Sequence, residues 1–359
     1  MTDHVVPGPL QTPGRGAVWG PVRAVPVLVL VLLVAACSPS SAAGPGGTLR
    51  LGYFPNVTHG TALVGVTSGA FANALGPDVT LDFATFNAGG AAAEALLNGA
   101  IDVTYIGPNP AINAFAQSEG AAIRIIAGAT SGGAYLVVRP GIESAEDLRG
   151  TTLATPQLGN TQDVALRTWL ADHGLTADLT GGGDVSIVPQ ENAQTLQTLS
   201  TGEIDGAWVP EPWATRLVQE AKGQVLVDEA TLWPDGRYVT THLIARTDYL
   251  AAHPDIIRAL LAGHLATTDR IIADPDAASE LANKGIEAIT GKAVSGSVIA
   301  SAWGHLTFTV DPIASSLRTS ADHAVAVGLL DPVNLEGIYD LTLLNELLTS
   351  KGRPTVADR

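Results

Sequence analysis

One pattern occurs twice in this chain and constrains its fold more than any other feature. Gly-Ala-Ile-Asp-Val-Thr-Tyr-Ile at 99–106 returns as Gly-Glu-Ile-Asp-Gly-Ala-Trp-Val at 202–209, 103 residues later. Each copy follows a predicted helix and leads into a proline-rich turn, at 107–110 and at 210–213. This separation is far too long for a solenoid period. Unless the similarity arises by chance, the repeat predicts one strand–turn–helix unit in each of two lobes.

Short β-like runs alternate with helical segments up to residue 245, a rhythm typical of an α/β fold. We predict strands at 48–53, 79–84, 103–106, 122–126, 134–139, 152–154, 185–188, 206–209, 224–227 and 238–245. Between them we predict helices at 58–67, 90–98, 110–119, 161–173, 192–200 and 213–221. Beyond residue 245 the pattern is almost purely helical, with helices expected at 254–272, 276–289, 313–327 and 341–350.

The composition excludes several classes of function. The chain has 35 acidic and 19 basic residues, and it lacks the clustered cations with which nucleic-acid-binding proteins neutralise phosphates. Its single cysteine excludes intrachain disulfides, zinc ribbons and thiol–thiol redox motifs. The nucleophile-elbow, zinc-protease and phosphate-loop motifs are also absent from the sequence. We therefore expect a binding protein without metal or cofactor, and not an enzyme.

The N-terminal segment indicates export. Residues 24–36 form an apolar run of 13 residues, which is too short to span a bilayer but suits the core of a signal peptide. The run ends in Val-Ala-Ala followed by Cys37, which resembles the lipobox of bacterial lipoproteins. An ordinary secretory signal with an incidental cysteine is the alternative. We predict a signal peptide at 1–36, lipidation at Cys37, a flexible tether at 37–47, and a membrane-anchored chain on the extracytoplasmic side.

Polar loops follow several of the predicted strands, where ligands bind in open α/β sheets. These loops, at 54–59, 86–90, 107–110, 157–162 and 189–192, supply Asn, Gln, Thr, Gly and Pro and almost no positive charge. Helix N-termini hold anions through free N–H groups without needing a cation. Helix capping alone is the alternative for each loop. The candidate ligand-binding residues here are Asn56, Thr58, His59, Gly107, Asn109, Asn160, Thr161, Gln162 and Asn192.

A second group of candidates follows the second copy of the repeat. Trp208, Glu211 and Trp213 would form an aromatic wall with one acid, suited to a ligand with an apolar or cationic portion. The alternatives are core packing for Trp208 and a solvated turn position for Glu211. His59 and His242 are isolated histidines, for which capping or strand positions are expected more often than catalysis. Arg139 and Arg246 flank the two runs at 134–139 and 238–245 and either pair with an anion or lie on the surface.

The mature chain resembles the solute-binding proteins of bacterial ABC importers for aliphatic sulfonates, nitrate and taurine, whose relatives bind thiamine pyrimidine precursors. The resemblance covers about 49–348. Beside the two repeats, it rests on Gly-Tyr at 52–53, Phe-Asn-Ala-Gly at 86–89, Glu-Ala-Leu at 94–96, Gly-Asn-Thr at 159–161 and Glu-Pro-Trp at 211–213. The sulfonate binders typically have a Gly-Ser-Ser turn where this chain has Asn160 and Thr161, and Gln162 follows here.

The resemblance implies a type II periplasmic-binding-protein-like fold, with two α/β lobes of mixed sheets joined by two extended hinge crossovers. The runs 134–139 and 238–245 would then be the hinge strands. We expect the first lobe at 48–137 and 242–350, the second at 138–241, and a tail at 351–359.

The implied function is capture of a small organic anion by hinge closure, followed by delivery to an ABC permease and, through it, a cytoplasmic ATPase. An aliphatic sulfonate is the leading ligand; taurine, nitrate and a thiamine-precursor-like heterocycle are alternatives. A solute-sensing receptor subunit is a further alternative. Pyrimidine-synthesising relatives share the fold, but they depend on cysteine-rich iron sites that a chain with one cysteine cannot build. We expect a monomer.

Overall fold

Eleven strands and thirteen α-helices make up the part of the chain that a computed structural model describes, residues 46–359. The predicted signal peptide, Cys37 and most of the predicted tether lie outside these residues. The strands are β1 (Gly47–Tyr53), β2 (Val79–Thr85), β3 (Val103–Ile106), β4 (Ile123–Gly132), β5 (Ala134–Val138), β6 (Thr152–Thr155), β7 (Ser186–Pro189), β8 (Gly206–Pro210), β9 (Gln224–Asp228), β10 (Val239–Arg246) and β11 (Leu306–Phe308).

Helices cover both sheets, and the longest follow the last long strand, as the sequence pattern predicts. They are α1 (Gly60–Thr67), α2 (Ala70–Leu75), α3 (Gly89–Leu97), α4 (Pro108–Gln117), α5 (Thr161–Asp172), α6 (Asn192–Thr201), α7 (Trp213–Gln219), α8 (Thr247–Ala252), α9 (Pro254–Ala273), α10 (Pro275–Thr290), α11 (Gly296–Gly304), α12 (Ala314–Ala326) and α13 (Thr342–Ser350). The sequence pattern missed α2, α8 and α11, which are all short. None of the helices in 46–359 is long and apolar enough to cross a membrane.

The strands form two mixed sheets, which confirms the predicted fold class. The first sheet has the order β11-β4-β10-β3-β1-β2 and the second the order β7-β6-β8-β5-β9. In the first sheet β1 pairs in parallel with β2 and β3, while β10 runs antiparallel between β3 and β4. In the second, β6 pairs in parallel with β7 and β8, while β5 runs antiparallel between β8 and β9.

The sequence repeat occupies equivalent places in the two sheets. Strands β3 and β8 each lie between one parallel and one antiparallel neighbour. The aspartate of each copy precedes its strand: Asp102 accepts hydrogen bonds from the Arg50 backbone and side chain. Asp205 likewise accepts from the Thr152 backbone and from Arg139. The repeat therefore marks the same structural unit twice, once per sheet.

The change from one sheet to the other differs from the predicted boundaries. From the sequence we expect 134–137 in the first lobe and the run 134–139 as a crossover. Strand β5 instead pairs only with strands of the second sheet, so this run belongs to that sheet and is not itself a crossover. The change falls at Gly132 and Gly133, whose φ angles of 82° and 75° favour glycine. On the return, β10 already pairs in the first sheet at Val239, three residues before the predicted boundary at 242. Strand periodicity locates a strand, but its partner depends on distant residues.

Apolar side chains fill the space between each sheet and its helices. Helix α9 illustrates how the sequence dictates this packing, because Ile256, Ile257, Leu260, Leu261 and Leu265 recur on one face at helical spacing. All five are at most 1% exposed and pack against strands of the first sheet and the neighbouring helices. This packing covers one face of the first sheet.

Candidate functional site

A cavity of about 40 Å³ lies where loops from the two sheets face each other. The loops follow β1, β2 and β3 of the first sheet and β6, β7 and β8 of the second, so they leave the carboxyl ends of the strands, where α/β folds bind ligands. The lining residues are Phe54, Asn56, Thr58, His59, Asn87, Ala88, Gly89, Gly107, Pro110, Pro156, Asn160, Thr161, Gln162, Asn192, Pro210, Thr240 and Thr241. None of these lining residues is a lysine or an arginine.

Four α-helices begin at the cavity wall. The N-cap residues of α3, α4 and α5 are Ala88, Gly107 and Asn160, and Asn192 is the first residue of α6. The first backbone N–H groups of a helix have no partner within it, and the helix dipole places partial positive charge there. In α4 only Asn109 supplies such a group among the first three residues, because Pro108 and Pro110 have no N–H. The wall is therefore electropositive although it contains no cationic side chain.

The loop that opens α5 is the most tightly specified part of the wall. Asn160 caps the helix by accepting a hydrogen bond from the backbone N–H of Asp163 at 2.9 Å. Its amide nitrogen donates to the Gln162 side chain, and Asn160, Thr161 and Gln162 are all buried. Across the cavity, a Cβ atom on Gly107 would lie only 2.5 Å from the Thr161 hydroxyl. Glycine at 107 thus allows the loops of the two sheets to approach each other.

Buried polar atoms without partners line the same space. His59 stacks on Phe54 with ring centroids 4.3 Å apart, and burial lowers the pKa of His59 to about 3, so the imidazole is neutral. Its Nδ1, the Oδ1 of Asn192 and the Oγ1 of Thr241 find no hydrogen-bond partner among residues 46–359. Buried polar atoms are rarely left unpaired in folded proteins. A bound molecule with both donor and acceptor atoms would satisfy them.

Three hydrogen bonds join the loops of the two sheets around the cavity. The Gly90 backbone N–H donates to the Gln157 side chain at 2.9 Å, and the Asn87 amide donates to Glu191 at 3.1 Å. The Trp213 indole donates to the Asn56 side chain at 2.9 Å. These contacts exist only while the two sets of loops are together, so the structure represents a closed arrangement.

Eight of the twelve predicted ligand-binding residues line this one cavity, and their contact with a ligand stays a prediction. They are Asn56, Thr58, His59, Gly107, Asn160, Thr161, Gln162 and Asn192. Asn109 does not line it, because its amide turns away and donates to the Ser320 carbonyl. Trp208 does not line it either: it is fully buried in the core of the second sheet, and its indole donates to Glu229 at 2.7 Å.

The predicted aromatic wall with one acid is therefore absent from the cavity. Glu211 is not a solvated turn residue; it is fully buried and accepts hydrogen bonds from the backbone and hydroxyl of Thr215 and from His305. Trp213 lies in a groove outside the cavity, with the Arg216 guanidinium 4.6 Å from its ring centre, and reaches the site only through Asn56.

The other histidine and arginine candidates have structural partners. His242 is fully buried, its Nε2 donates to the Pro312 carbonyl, and burial lowers its pKa to about 4. Arg139 pairs with Asp205, and Arg246 pairs with Asp248 and lies near Asp102. None of these residues lines the cavity.

Sequence reasoning missed part of the cavity wall. Asn87, Ala88 and Gly89 belong to a loop that the sequence singled out, but they were not among the candidate residues. Thr240 and Thr241 carried no sequence signal, because they line the cavity only through the antiparallel insertion of β10, whose N-terminal end lies beside the carboxyl ends of β3 and β4. Phe54 and the prolines at 110, 156 and 210 complete the wall.

Two mixed α/β sheets with a ligand-sized cavity between their loops define a type II periplasmic-binding-protein-like fold. The structure is similar to the alkanesulfonate-binding protein SsuA of Xanthomonas axonopodis pv. citri bound to MOPS, with a TM-score of 0.67 and 20% identity over 81% of this chain and 96% of that one. It is also similar to the nitrate-binding protein NrtA of Synechocystis PCC 6803, with a TM-score of 0.69 and 14% identity over 85% and 89%.

The family follows from the sequence. The model of the NMT1-like family matches residues 42–285, so the chain belongs to this family. It is 27% identical over 200 residues to the taurine-binding periplasmic protein of Escherichia coli K12. The matched region is 55% of this chain and 59% of that protein, so the chain spans less than two thirds of that relative. The resemblance to sulfonate-, nitrate- and taurine-binding proteins is thereby confirmed.

Proposed function

We propose that this chain is the extracytoplasmic substrate-binding component of an ABC importer and that it captures a small organic anion, with a short aliphatic sulfonate as the leading ligand. The observation that carries the proposal is the convergence of four helix N-termini on one cavity between the two sheets. The similarity to taurine- and alkanesulfonate-binding proteins supports the same ligand class.

The charge distribution around the cavity favours an anion. Helix N-termini stabilise a negative charge by about 0.3–1 kcal/mol each when exposed, and by up to about 2 kcal/mol when partly buried. The Thr58, Thr161 and Thr241 hydroxyls add neutral donors, and His59 stays uncharged. No carboxylate lines the cavity among the described residues, so no charged side chain of the wall repels an anion.

The size of the cavity limits the ligand. A buried water needs roughly 10–15 Å³ measured with a water-sized probe, so about 40 Å³ accommodates about three waters. This volume favours a compact head group with a short substituent, such as taurine or methanesulfonate, over a long alkyl chain. It equally suits an anion of the size of nitrate, which is the second candidate. The residues that suggested a heterocycle, Trp208 and Glu211, lie outside the cavity.

In this mechanism no residue of the chain makes or breaks a covalent bond. The ligand binds between the loops and shifts the population towards the closed form that the interlobe hydrogen bonds stabilise. The closed protein then delivers the ligand to the permease, and the cytoplasmic ATPase supplies the energy. We further propose that lipidation at Cys37 and the tether at 37–47 hold the monomeric receptor at the membrane. A receptor that reports ligand to a sensor instead would use the same closure.

Thermal unfolding of the full-length chain in a mild detergent tests the proposal. The additives are taurine, methanesulfonate, octanesulfonate, nitrate, bicarbonate, sulfate and an aminopyrimidine. A ligand at 100 times its Kd adds about 2.7 kcal/mol of stability, which corresponds to a rise of about 4 °C in Tm for a domain of this size. We expect this rise with the short sulfonates. An anion site would be contradicted if Tm rose with the aminopyrimidine alone, or if Tm rose with none of the anions.

A further inference from the structure

A buried ion pair lies directly behind the ligand-binding loop of the second sheet. Asp163 and Arg167 are one turn apart on α5, and the Arg167 Nε donates to Asp163 Oδ2 at 3.0 Å. Their side chains are 0% and 3% exposed. Neither residue lines the cavity. Removing two charges from water is costly, so such a pair is weak support for stability and invites another explanation.

The contacts of Asp163 join the end of β6, the turn before α5 and the cap of α5. Its Oδ1 accepts a hydrogen bond from the Thr155 hydroxyl at 2.9 Å, at the end of β6. Its Oδ2 accepts from the Gly159 backbone N–H at 2.9 Å. The backbone N–H of Asp163 donates to the Oδ1 of Asn160, which caps the helix. The carboxylate therefore joins the end of the strand to the turn, and the backbone N–H of the same residue bonds to the cap of the helix.

Arg167 holds this carboxylate from behind. Besides its bond to Asp163, its Nη1 donates to the backbone carbonyls of Ala177 and Asp178 at 3.1 and 3.3 Å. The guanidinium thus anchors the Asp163 carboxylate to the loop that follows α5. A planar fork is suited to holding several acceptors in one geometry, which a lysine ammonium does less well.

A similar pair in the other sheet has no such connection. Asp102 is also buried and accepts hydrogen bonds from the backbone and side chain of Arg50. It precedes β3, at the amino end of the strand, whereas the cavity lies at the carboxyl ends. Neither Asp102 nor Arg50 bonds to a residue of the cavity wall. Asp102 is therefore a control for the loss of a buried, arginine-paired carboxylate, although the Arg50 side chain is 39% exposed.

We propose that Asp163 and Arg167 are positioning residues that fix the 159–162 loop in its ligand-binding geometry. The inference rests on the proposed function, in which this cavity holds the anion. The two residues act through Gly159, Asn160 and Thr161 and do not touch the ligand themselves.

Asp163→Asn tests the proposal with little change of shape. The asparagine oxygen can still accept from Gly159, and its nitrogen can donate to the Thr155 hydroxyl, but the charge that pairs with Arg167 is lost. Hydrogen–deuterium exchange of the full-length chain, without ligand, should be about tenfold or more faster in peptides covering 156–163. Asp102→Asn should leave those peptides unchanged. Unchanged exchange there in Asp163→Asn, or an equal increase in Asp102→Asn, would overturn the proposal.

Affinity gives a second readout that separates positioning from stability. Kd is measured by calorimetry with taurine, methanesulfonate or nitrate, whichever binds the wild type. It should rise by about 10- to 100-fold in Asp163→Asn and stay within about twofold of the wild type in Asp102→Asn. Arg167→Lys should bind more tightly than Arg167→Met, because only lysine keeps a charge beside Asp163; equal Kd values would overturn the proposal. If the wild type bound none of these anions, the proposed function would fail, while the exchange comparison would still decide the positioning role.

Discussion

Gly107→Ala tests the proposed closure separately from folding. Gly107 precedes α4 with a φ of −71° and a ψ of 163°, which any residue adopts without strain. The added Cβ would lie 2.5 Å from the Thr161 hydroxyl and 3.6 Å from the Thr240 carbonyl oxygen. Ordinary Cβ contacts are 3.4 Å or more. The loops would therefore have to stay about 1 Å further apart, or Thr161 would have to leave its rotamer.

The cost follows from this overlap. Overpacking of one methyl group costs about 1–3 kcal/mol, which is about 5- to 150-fold in Kd. Because only the closed form contains the clash, the cost should appear in ligand affinity and in closure. The free energy of unfolding without ligand should change by less than about 0.5 kcal/mol.

Calorimetry measures the affinity, and small-angle scattering with and without ligand measures closure. Gly304→Ala is the control, because an added Cβ at 304 meets no atom within 4 Å. Gly107→Ala should bind the anion more weakly and contract less on binding, while Gly304→Ala should match the wild type. A Kd for Gly107→Ala equal to that of the wild type, with the same contraction, would refute the close approach of the two loops.

Three further predictions test the site, the pH response and the core. Thr161→Ala should weaken anion binding by about 1–3 kcal/mol, since a hydrogen bond to a charged group is lost; unchanged affinity by calorimetry would exclude the helix-end site. The hydrogen bond to Glu211 raises the pKa of His305 above its ordinary 6.5. This contribution to stability is complete below pH 6.5 and is lost as pH rises through the raised pKa, so Tm should fall over that range, and His305→Gln should flatten that part of the profile. Leu260→Ala, in the fully buried stripe of α9, should cost about 2–5 kcal/mol in urea unfolding without changing ligand specificity.

Local patterns were enough to predict most strands and the long helices. Strand β3 and the helix that follows it appear in the sequence as an apolar run, a Pro-rich turn and an amphipathic segment, all within the 15 residues 103–117. The two aspartates of the repeat were visible as well, although not their role as acceptors for Arg50 and Arg139. The strand, the turn and the helix depend on neighbours in the sequence and can therefore be predicted from it, whereas the arginine partners of the aspartates lie more than 50 residues away.

The errors come from contacts between distant residues. Whether Trp208 faces the cavity or the core depends on which face of β8 is packed by α5 and its neighbours, and the sequence of β8 is apolar on both faces. Glu211 was expected to face a ligand or, as the alternative, solvent, but it is fully buried and bonds to His305, 94 residues later. Thr240 and Thr241 reach the cavity only because β10 enters the first sheet in reverse.

The placement of cations bears on the proposed anion site of this acidic chain. Arg50, Arg139, Arg167 and Arg246 approach the two sheets, and each pairs with an aspartate outside the cavity. These arginines therefore balance carboxylates that fix strands and loops, and the cavity is lined by neutral side chains and helix ends. Such a wall attracts a negative charge without a flexible cation whose side-chain entropy would be lost on binding. Under the proposed function, the affinity depends on how accurately the helix ends are placed, and for that reason we expect a residue behind the wall, such as Asp163, to matter as well as those that line it.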